Sequence, residues 1–240
     1  MKRSFINYAH RGASEYAPEN TFLSFYYGIT MGANGIETDV QITKDGVPVL
    51  FHDTTLSRVT GTSGNLADFT LSELKELWVT KNGLKDKIVT FEDFLIHFAC
   101  HDLTFAIELK SKGSAKPTAE LLRKYGIQDK TVVTSFMYDE LLDFKKIAPE
   151  FKTGYLAVKV DDQVLSDMKR DGITEICPEA CLITNETCEK WHSLGFNVRA
   201  WGVYNVELMK SAYYAGADGM TVNFPDKLTE LLLNENKDLL

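Results

Sequence analysis

Two histidines and three carboxylates carry most of the chemistry open to this chain. His10 is followed by Arg11 and Gly12, Glu37 and Asp39 flank Thr38, His52 precedes Asp53, and Glu108 lies two positions before Lys110. Side chains alternate across a β-strand, so Glu37 and Asp39 leave the same side of the strand that carries them. Two carboxylates held together repel unless a cation neutralises them or one keeps a proton. Histidine is the side chain that titrates nearest neutrality. Crowded acids beside two histidines read as metal-assisted acid–base chemistry.

Holding these groups in place takes a scaffold, and the chain spells one out in short β-rich runs alternating with amphipathic stretches. Strands are expected at Phe5–Ala9, Gly35–Ile42, Leu103–Leu109, Thr131–Ser135, Lys152–Leu156, Glu175–Cys177, Asn197–Trp201 and Gly219–Val222. Helices are expected at Asn20–Met31, Ala115–Tyr125, Tyr138–Ile147, Asp161–Arg170, Glu186–Leu194 and Val206–Ala215. Strands separated by helices imply a parallel sheet, and eight is the number that closes a (β/α)8 TIM barrel. The alternative is an open doubly wound sheet, but no Gly-x-Gly-x-x-Gly follows the first strand to support its dinucleotide-binding form. With no linker-like segment, residues 1–240 read as one α/β domain.

The rhythm breaks after strand two. Lys44-Asp45-Gly46 is a turn signal between two alternating runs and predicts a hairpin. Residues 54–88 follow, rich in Thr, Ser, Gly and Lys with a helical piece around Leu71–Leu77, and read as an insertion over the barrel mouth. Active sites of this fold gather at the C-terminal ends of the strands. His10 and Arg11 close strand one, Glu37 and Asp39 lie late in strand two, Glu108 and Lys110 close strand three, Trp201 closes strand seven and Asn223 follows strand eight. The polar residues therefore converge on one end.

Plainer uses compete for each residue. Glu37, Asp39 and Glu108 could be rim caps or salt-bridge partners, with Arg11 and Lys110 as their cations. Asp53 could cap the loop that follows or orient the His52 ring, capping being the favoured use. Pro18-Glu19-Asn20-Thr21 is a helix start from which Glu19 or Asn20 could reach back to the His10 loop. Trp201 suits a core as readily as a ligand contact. His97, His101 and His192 have no evident partners and read as bystanders.

Composition narrows the field further. The 240 residues carry a net charge of −8, with 44% hydrophobic and 25% charged side chains. That balance supports an ordinary core and argues against nucleic acid or an anionic membrane surface, which need basic patches. Cys100, Cys177, Cys181 and Cys188 show no zinc-site spacing and are expected to be free, mostly buried thiols. No signal-peptide pattern follows Met1-Lys2-Arg3-Ser4 and no run is long enough for a membrane span, so a soluble cytoplasmic protein is expected, without stable membrane association.

The motifs together resemble the glycerophosphodiester phosphodiesterases, in particular the bacterial cytoplasmic type. The matching segments are His10-Arg11-Gly12, Pro18-Glu19-Asn20-Thr21, the run Ile36 to Gly46, the run His52 to Arg58, Ile107-Glu108-Leu109-Lys110, Ser135-Phe136 and Trp201. The likeness runs from about residue 5 to about residue 235 and is most specific in the first half. Strand seven departs from the family's usual Trp-Thr-Val-Asn with Trp201-Gly202-Val203-Tyr204, and the closing Thr-Asp-x-Pro appears as Val222-Asn223-Phe224-Pro225.

The resemblance implies a TIM barrel with a small insertion, one divalent cation, and hydrolysis of glycerophosphodiesters to sn-glycerol 3-phosphate and an alcohol. It casts Glu37, Asp39 and Glu108 as ligands of Mg²⁺ or Ca²⁺, both of which take oxygen donors. Arg11, Lys110 and Trp201 are then substrate contacts, with Glu19, Asn20 and Asp53 behind them. His10 and His52 divide the acid–base work, with His10 as the expected base and His52 as the expected acid. The nucleophile stays open between water and the substrate's own 2-hydroxyl. So do the head group and the oligomeric state.

Three rivals share the scaffold. A lysophospholipase D would need an apolar surface near the mouth, for which the insertion offers Leu66, Phe69, Leu71, Leu74, Leu77 and Trp78. A non-catalytic phospholigand binder would be marked by a lost histidine, and both are present. A sugar-phosphate aldolase or isomerase has only the fold in its favour.

Overall fold

The computed structural model describes residues 5–235. Its barrel strands are β1 (Ile6–His10), β2 (Gly35–Ile42), β3 (Thr104–Leu109), β4 (Thr131–Ser135), β5 (Lys152–Ala157), β6 (Glu175–Pro178), β7 (Asn197–Val203) and β8 (Gly219–Val222). Each pairs in parallel with the next, and β8 pairs with β1, so the sheet closes on itself as the expected (β/α)8 barrel. Every expected strand is found within a residue or two at its ends. The six expected helices are also found.

Besides the single turn Ser57–Thr60, two longer helices stand outside the sequence expectation: Phe91–Phe98, which covers the barrel after β2, and Pro225–Glu235. Phe91–Phe98 is nearly all apolar on its buried side and starts at Thr90, whose hydroxyl accepts from the Asp93 amide. It sits so close behind the insertion that it reads as a continuation of that loop.

The strands alternate in an unusual sense. Ile36, Val40, Phe105, Ile107, Leu109 and Val133 face the helices and build one apolar cluster with Phe25, Phe94 and Phe98. Ile176, Val198, Ala200, Met220 and Val222 build a second cluster on the other side. The intervening positions point inward, and many are polar: Glu37, Asp39, Glu108, Thr134, Glu175, Arg199 and Thr221 are all buried. Arg199 spans the interior, its Nε donating to Glu175 at 2.7 Å and a terminal nitrogen to the Thr221 hydroxyl at 2.8 Å. Tyr8 lies against it, with the guanidinium carbon 5.2 Å from the ring centroid.

The expected hairpin is present, with Pro48–Leu50 running antiparallel to the end of β2. Beyond it, the insertion folds over its own cluster of Val49, Phe51, Leu56, Val59, Leu66, Leu74, Val79 and Ile88. Its helical piece runs Leu71–Glu76, followed by a two-stranded ribbon, Val79–Lys81 with Leu84–Asp86. The ribbon tip grips the loop after β1: the Lys81 ammonium donates to the Ser14 carbonyl and Asn82 to that of Glu15. Leu66 and Leu74 are spent inside this unit, with Phe69, Leu71 and Leu77 packed against them, so of the apolar residues noted there only Trp78 is left exposed, under the Lys85 and Lys87 ammoniums.

All four cysteines are free as expected, but only Cys177 and Cys188 are buried, Cys100 and Cys181 being exposed where most were expected inside. Among the described residues no helix is long and apolar enough to cross a membrane.

Candidate active site

Strand register brings the acids together. Glu37 pairs with His10 across β1 and β2, Asp39 pairs with Glu108 across β2 and β3, and Glu108 pairs with Thr134 across β3 and β4. Paired residues on neighbouring strands share a face, so all of these lean into the barrel. They reach its C-terminal end, where a cavity of about 260 Å³ opens. His10, Arg11, Glu37, His52, Glu108 and Asn223 line one side, and Phe136, Leu156, Trp201, Val203 and Tyr204 the other.

Glu37, Asp39 and Glu108 each offer an oxygen, and the three oxygens lie within 4.8 Å of one another. Loss of water and the neighbouring Asp39 and Glu108 charges push the Glu37 carboxyl well above the carboxylate range. Burial, then Asp39, pushes Glu108 up to about 7. Asp39 is held down at about 2: Arg11 leads the charges that outweigh its burial. Its Oδ1 is nonetheless buried without a hydrogen-bond partner, the Lys110 ammonium standing 4.0 Å away. Two carboxyls pushed toward their neutral forms and one orphaned oxygen are what a hard divalent cation would set right, and an all-oxygen donor set suits one. The residues present fit the group.

The two histidines are held alike but fed differently. His10 Nδ1 lies 2.5 Å from the Asn223 amide oxygen, which also accepts from the Ser14 hydroxyl. An oxygen there fixes the proton on Nδ1 and leaves Nε2 free as an acceptor, 3.9 Å from Glu37. One edge of the ring opens on the cavity (29% side-chain exposure), yet loss of water and then the Arg11 charge drive its pKa down to about 3. His52 Nδ1 instead lies 2.7 Å from the Asp53 carboxylate. Its pKa is also lowered, by burial first, with Asp39 opposing. Asp53 thus orients the ring, where sequence favoured a cap; the short helix Ser57–Thr60 begins at Leu56 with no side-chain cap at all.

Backbone geometry fixes the rest of the first loop. Arg11 takes φ +53, which turns its amide toward both the Glu37 carbonyl and the Glu37 carboxylate. Gly12 follows at φ +81, where a Cβ would come within 2.4 Å of Ser24. The Arg11 guanidinium lies 3.2 Å from Asp39 and donates to Glu19 at 3.0 Å. Asn20 donates to Asp39 at 2.9 Å and accepts from Thr38. Thr21 then caps the helix Phe22–Thr30, so the Pro18–Thr21 motif both starts a helix and braces the acids. Lys110 donates to Glu108 at 2.9 Å.

Other residues at the site lie within the matching segments, but apart from Trp201 the sequence assigned them no role. Arg58 donates to Glu19 with two nitrogens at 2.7 Å, and to Asp53 at 2.6 and 3.0 Å, tying the two acids together. Gln41, two residues after Asp39 and so on the same side, donates to the carbonyls of Phe51, His52 and Asp53. Phe136 meets Trp201 edge to face at 5.0 Å. The β7–β8 register slips between Ala200 and Val203, where Gly202 takes φ +68. Such irregularities re-aim rim side chains. His97, His101 and His192 stay away from the cavity, though each has a partner after all: Tyr26 at 3.4 Å, Cys100 at 3.6 Å and Asp218 at 2.8 Å.

Comparison with known proteins converges on one family. Residues 10–227 match the glycerophosphoryl diester phosphodiesterase family. A glycerophosphodiester phosphodiesterase of Caldanaerobacter subterraneus is 32% identical, covering 93% of this chain and 96% of its own. A Silicibacter pomeroyi structure described as a putative glycerophosphoryl diester phosphodiesterase superposes with a TM-score of 0.89 at 24% identity, covering 98% of this chain and 95% of its own, and so speaks for the fold. An Oleispira antarctica phosphodiesterase, solved with the product sn-glycerol-3-phosphate, superposes with a TM-score of 0.87 at 25% identity, covering 94% of this chain and 95% of its own. Match length and sequence identity agree: the chain belongs to the glycerophosphoryl diester phosphodiesterase family.

Proposed function

We propose that the protein hydrolyses glycerophosphodiesters to sn-glycerol 3-phosphate and an alcohol, using one Mg²⁺ or Ca²⁺ with His10 and His52 as acid–base pair. The observation that carries this reading is the three-carboxylate cluster with two histidines beside one cavity, each ring pinned at Nδ1. When bound by Glu37, Asp39 and Glu108, the cation supplies charge neutralisation and Lewis-acid polarisation at the phosphoryl group.

The side chains account for the remaining demands. Arg11 offers a planar fork and Lys110 a point charge to phosphate oxygens, both already poised against the acids. His10, with a neutral amide oxygen at Nδ1 and Arg11 beside it, stays unprotonated and takes the nucleophile's proton at Nε2. His52 has a carboxylate at Nδ1 to support a positive ring, so it gives its proton to the leaving alkoxide. The P–O bond to the alcohol breaks as the new P–O bond forms. Water and the glycerol 2-hydroxyl both suit the nucleophile's place, and a trapped cyclic phosphate would mark the second.

We read residues 1–240 as one domain with the insertion as part of the mouth, working in the cytoplasm on a small soluble substrate from lipid and glycerol metabolism. The buried apolar residues of the insertion favour this over a lysolipid substrate. The test is release of glycerol 3-phosphate from glycerophosphocholine and glycerophosphoethanolamine, in EDTA and after Mg²⁺ or Ca²⁺ is restored. Release only with cation is expected; no release with either cation would overturn the reading.

A further inference from the structure

Apart from Arg11 Nε, which faces Asp39 at 3.2 Å, two buried polar atoms on this cavity have no hydrogen-bond partner: the Thr134 hydroxyl and the Trp201 indole nitrogen. Thr134 is 1% exposed, on β4, one strand beyond Glu108. A buried polar group left unpaired is costly, and valine would fill the same space without that cost. The next residue, Ser135, shows the ordinary solution, its hydroxyl donating to the Leu109 carbonyl at 2.8 Å.

The roles of the two atoms define what completes them. An indole N–H only donates, whereas a threonine hydroxyl both donates and accepts. An ammonium cannot accept from the indole. An anion could accept from both, but the substrate's one anionic group, its phosphate, is assigned above to the cation, Arg11 and Lys110. A neutral hydroxyl can accept from an indole N–H and can donate to or accept from a threonine hydroxyl, so its chemistry suits either atom. Of the hydroxyls on a glycerophosphodiester's glycerol arm, the 2-hydroxyl is one carbon from the phosphate-bearing carbon, and the terminal one is a carbon farther, free to reach beyond the reacting centre.

Resting on the diesterase reading above, we propose that Thr134 and Trp201 form a subsite for the terminal hydroxyl of the glycerol arm, with Thr134 as its specificity-determining residue. Thr134 then selects glycerol esters over esters of deoxygenated diols.

The experiment measures kcat/KM for glycerophosphocholine and for its analogue built on propane-1,2-diol, which keeps the 2-hydroxyl and lacks the terminal one. Wild type is expected to prefer the glycerol ester by roughly 5- to 150-fold, the range for a buried group left unpaired. Thr134→Val should reduce that preference to within about two-fold, and Thr134→Ser should keep most of it. Thr153→Val is the control: that hydroxyl is also buried and unpartnered, but it pairs in register with Val133 and does not line the cavity. It should leave the preference intact.

A Thr134→Val enzyme with wild-type preference overturns the proposal, as does a wild type with none. Weakened thermal protection by Mg²⁺ or Ca²⁺ in Thr134→Val, with preference intact, would assign the hydroxyl to the carboxylate cluster instead. Failure of wild type to turn over either ester would sink the diesterase reading itself, and the subsite with it.

Discussion

Around the cavity, β1 to β3 together with the end of β8 present most of the charge and both imidazoles, whereas β4 to β7 and the loops after them present Phe136, Leu156, Trp201, Val203 and Tyr204 beside the buried Thr134 and Arg199. The charged wall is braced by direct ion pairs, and each of its groups has a specific neighbour that sets its protonation. The apolar wall carries a single cation, Arg199, which is buried and paired with Glu175. On the function proposed above, one side performs the chemistry, and the other keeps water away and offers area to the substrate, which strengthens the electrostatics opposite.

The contrast is broken most severely by removing an imidazole. His10→Ala or His52→Ala is expected to lower kcat by ~10²–10⁴-fold, measured by product release with folding checked by circular dichroism. Near wild-type turnover in either variant would move the chemistry off this wall.

Proton linkage gives the next effect. Glu37 and Glu108 have folded pKa values above the ordinary 4.5, Glu108 at about 7. The folded protein therefore holds protons that the unfolded chain has released. Without cation, their contribution to stability is complete below pH 4.5 and is lost as pH rises through 7. A dication displaces those protons, so the rise in Tm on adding Mg²⁺ or Ca²⁺ should be larger at pH 8 than at pH 5. Glu37→Gln should shrink that rise; an equal rise at both pH values would contradict the linkage.

Arg58 sharpens the comparison from outside the cavity. Arg58→Ala frees Glu19 and Asp53 together, and a roughly 10- to 100-fold loss of kcat is expected, the usual scale for residues that orient ligands. Lysine cannot reproduce a fork that spans two carboxylates, so Arg58→Lys should recover only part of it. On the opposite wall, Phe136→Ala or Tyr204→Ala should raise KM by roughly 2- to 10-fold with little change in kcat, as expected for lost aromatic contact. A kcat collapse there would mean that this wall also takes part in the chemistry.

The same contrast explains what the sequence made legible. Strand periodicity and the one-apart acids located the barrel and the charged wall, because few alternatives suit a carboxylate-x-carboxylate strand. His10, Arg11, Glu37, Asp39, His52, Glu108 and Lys110 all arrive at one end. The apolar wall was faint since Leu156 or Val203 could serve any core. Thr134 was fainter still, a threonine in a β-rich run being unremarkable until its hydroxyl is found without a partner. Gln41 and Arg58 act through contacts to residues on other segments, which no local pattern reports. Phe91–Phe98 went unseen because the insertion before it hid the point where regular alternation resumes.

His10 and His52 also differ in what holds them up. His10 ends a strand bonded on both sides within the closed sheet, while His52 rides on the insertion, whose small apolar cluster is separate from the two that clothe the barrel. Units with few buried contacts open at lower free energy than the whole. Warming should therefore detach His52 from Asp39 and Glu108 in a subglobal opening while the eight strands persist. Activity would then fade at temperatures where circular dichroism still reports an intact barrel, and return on cooling.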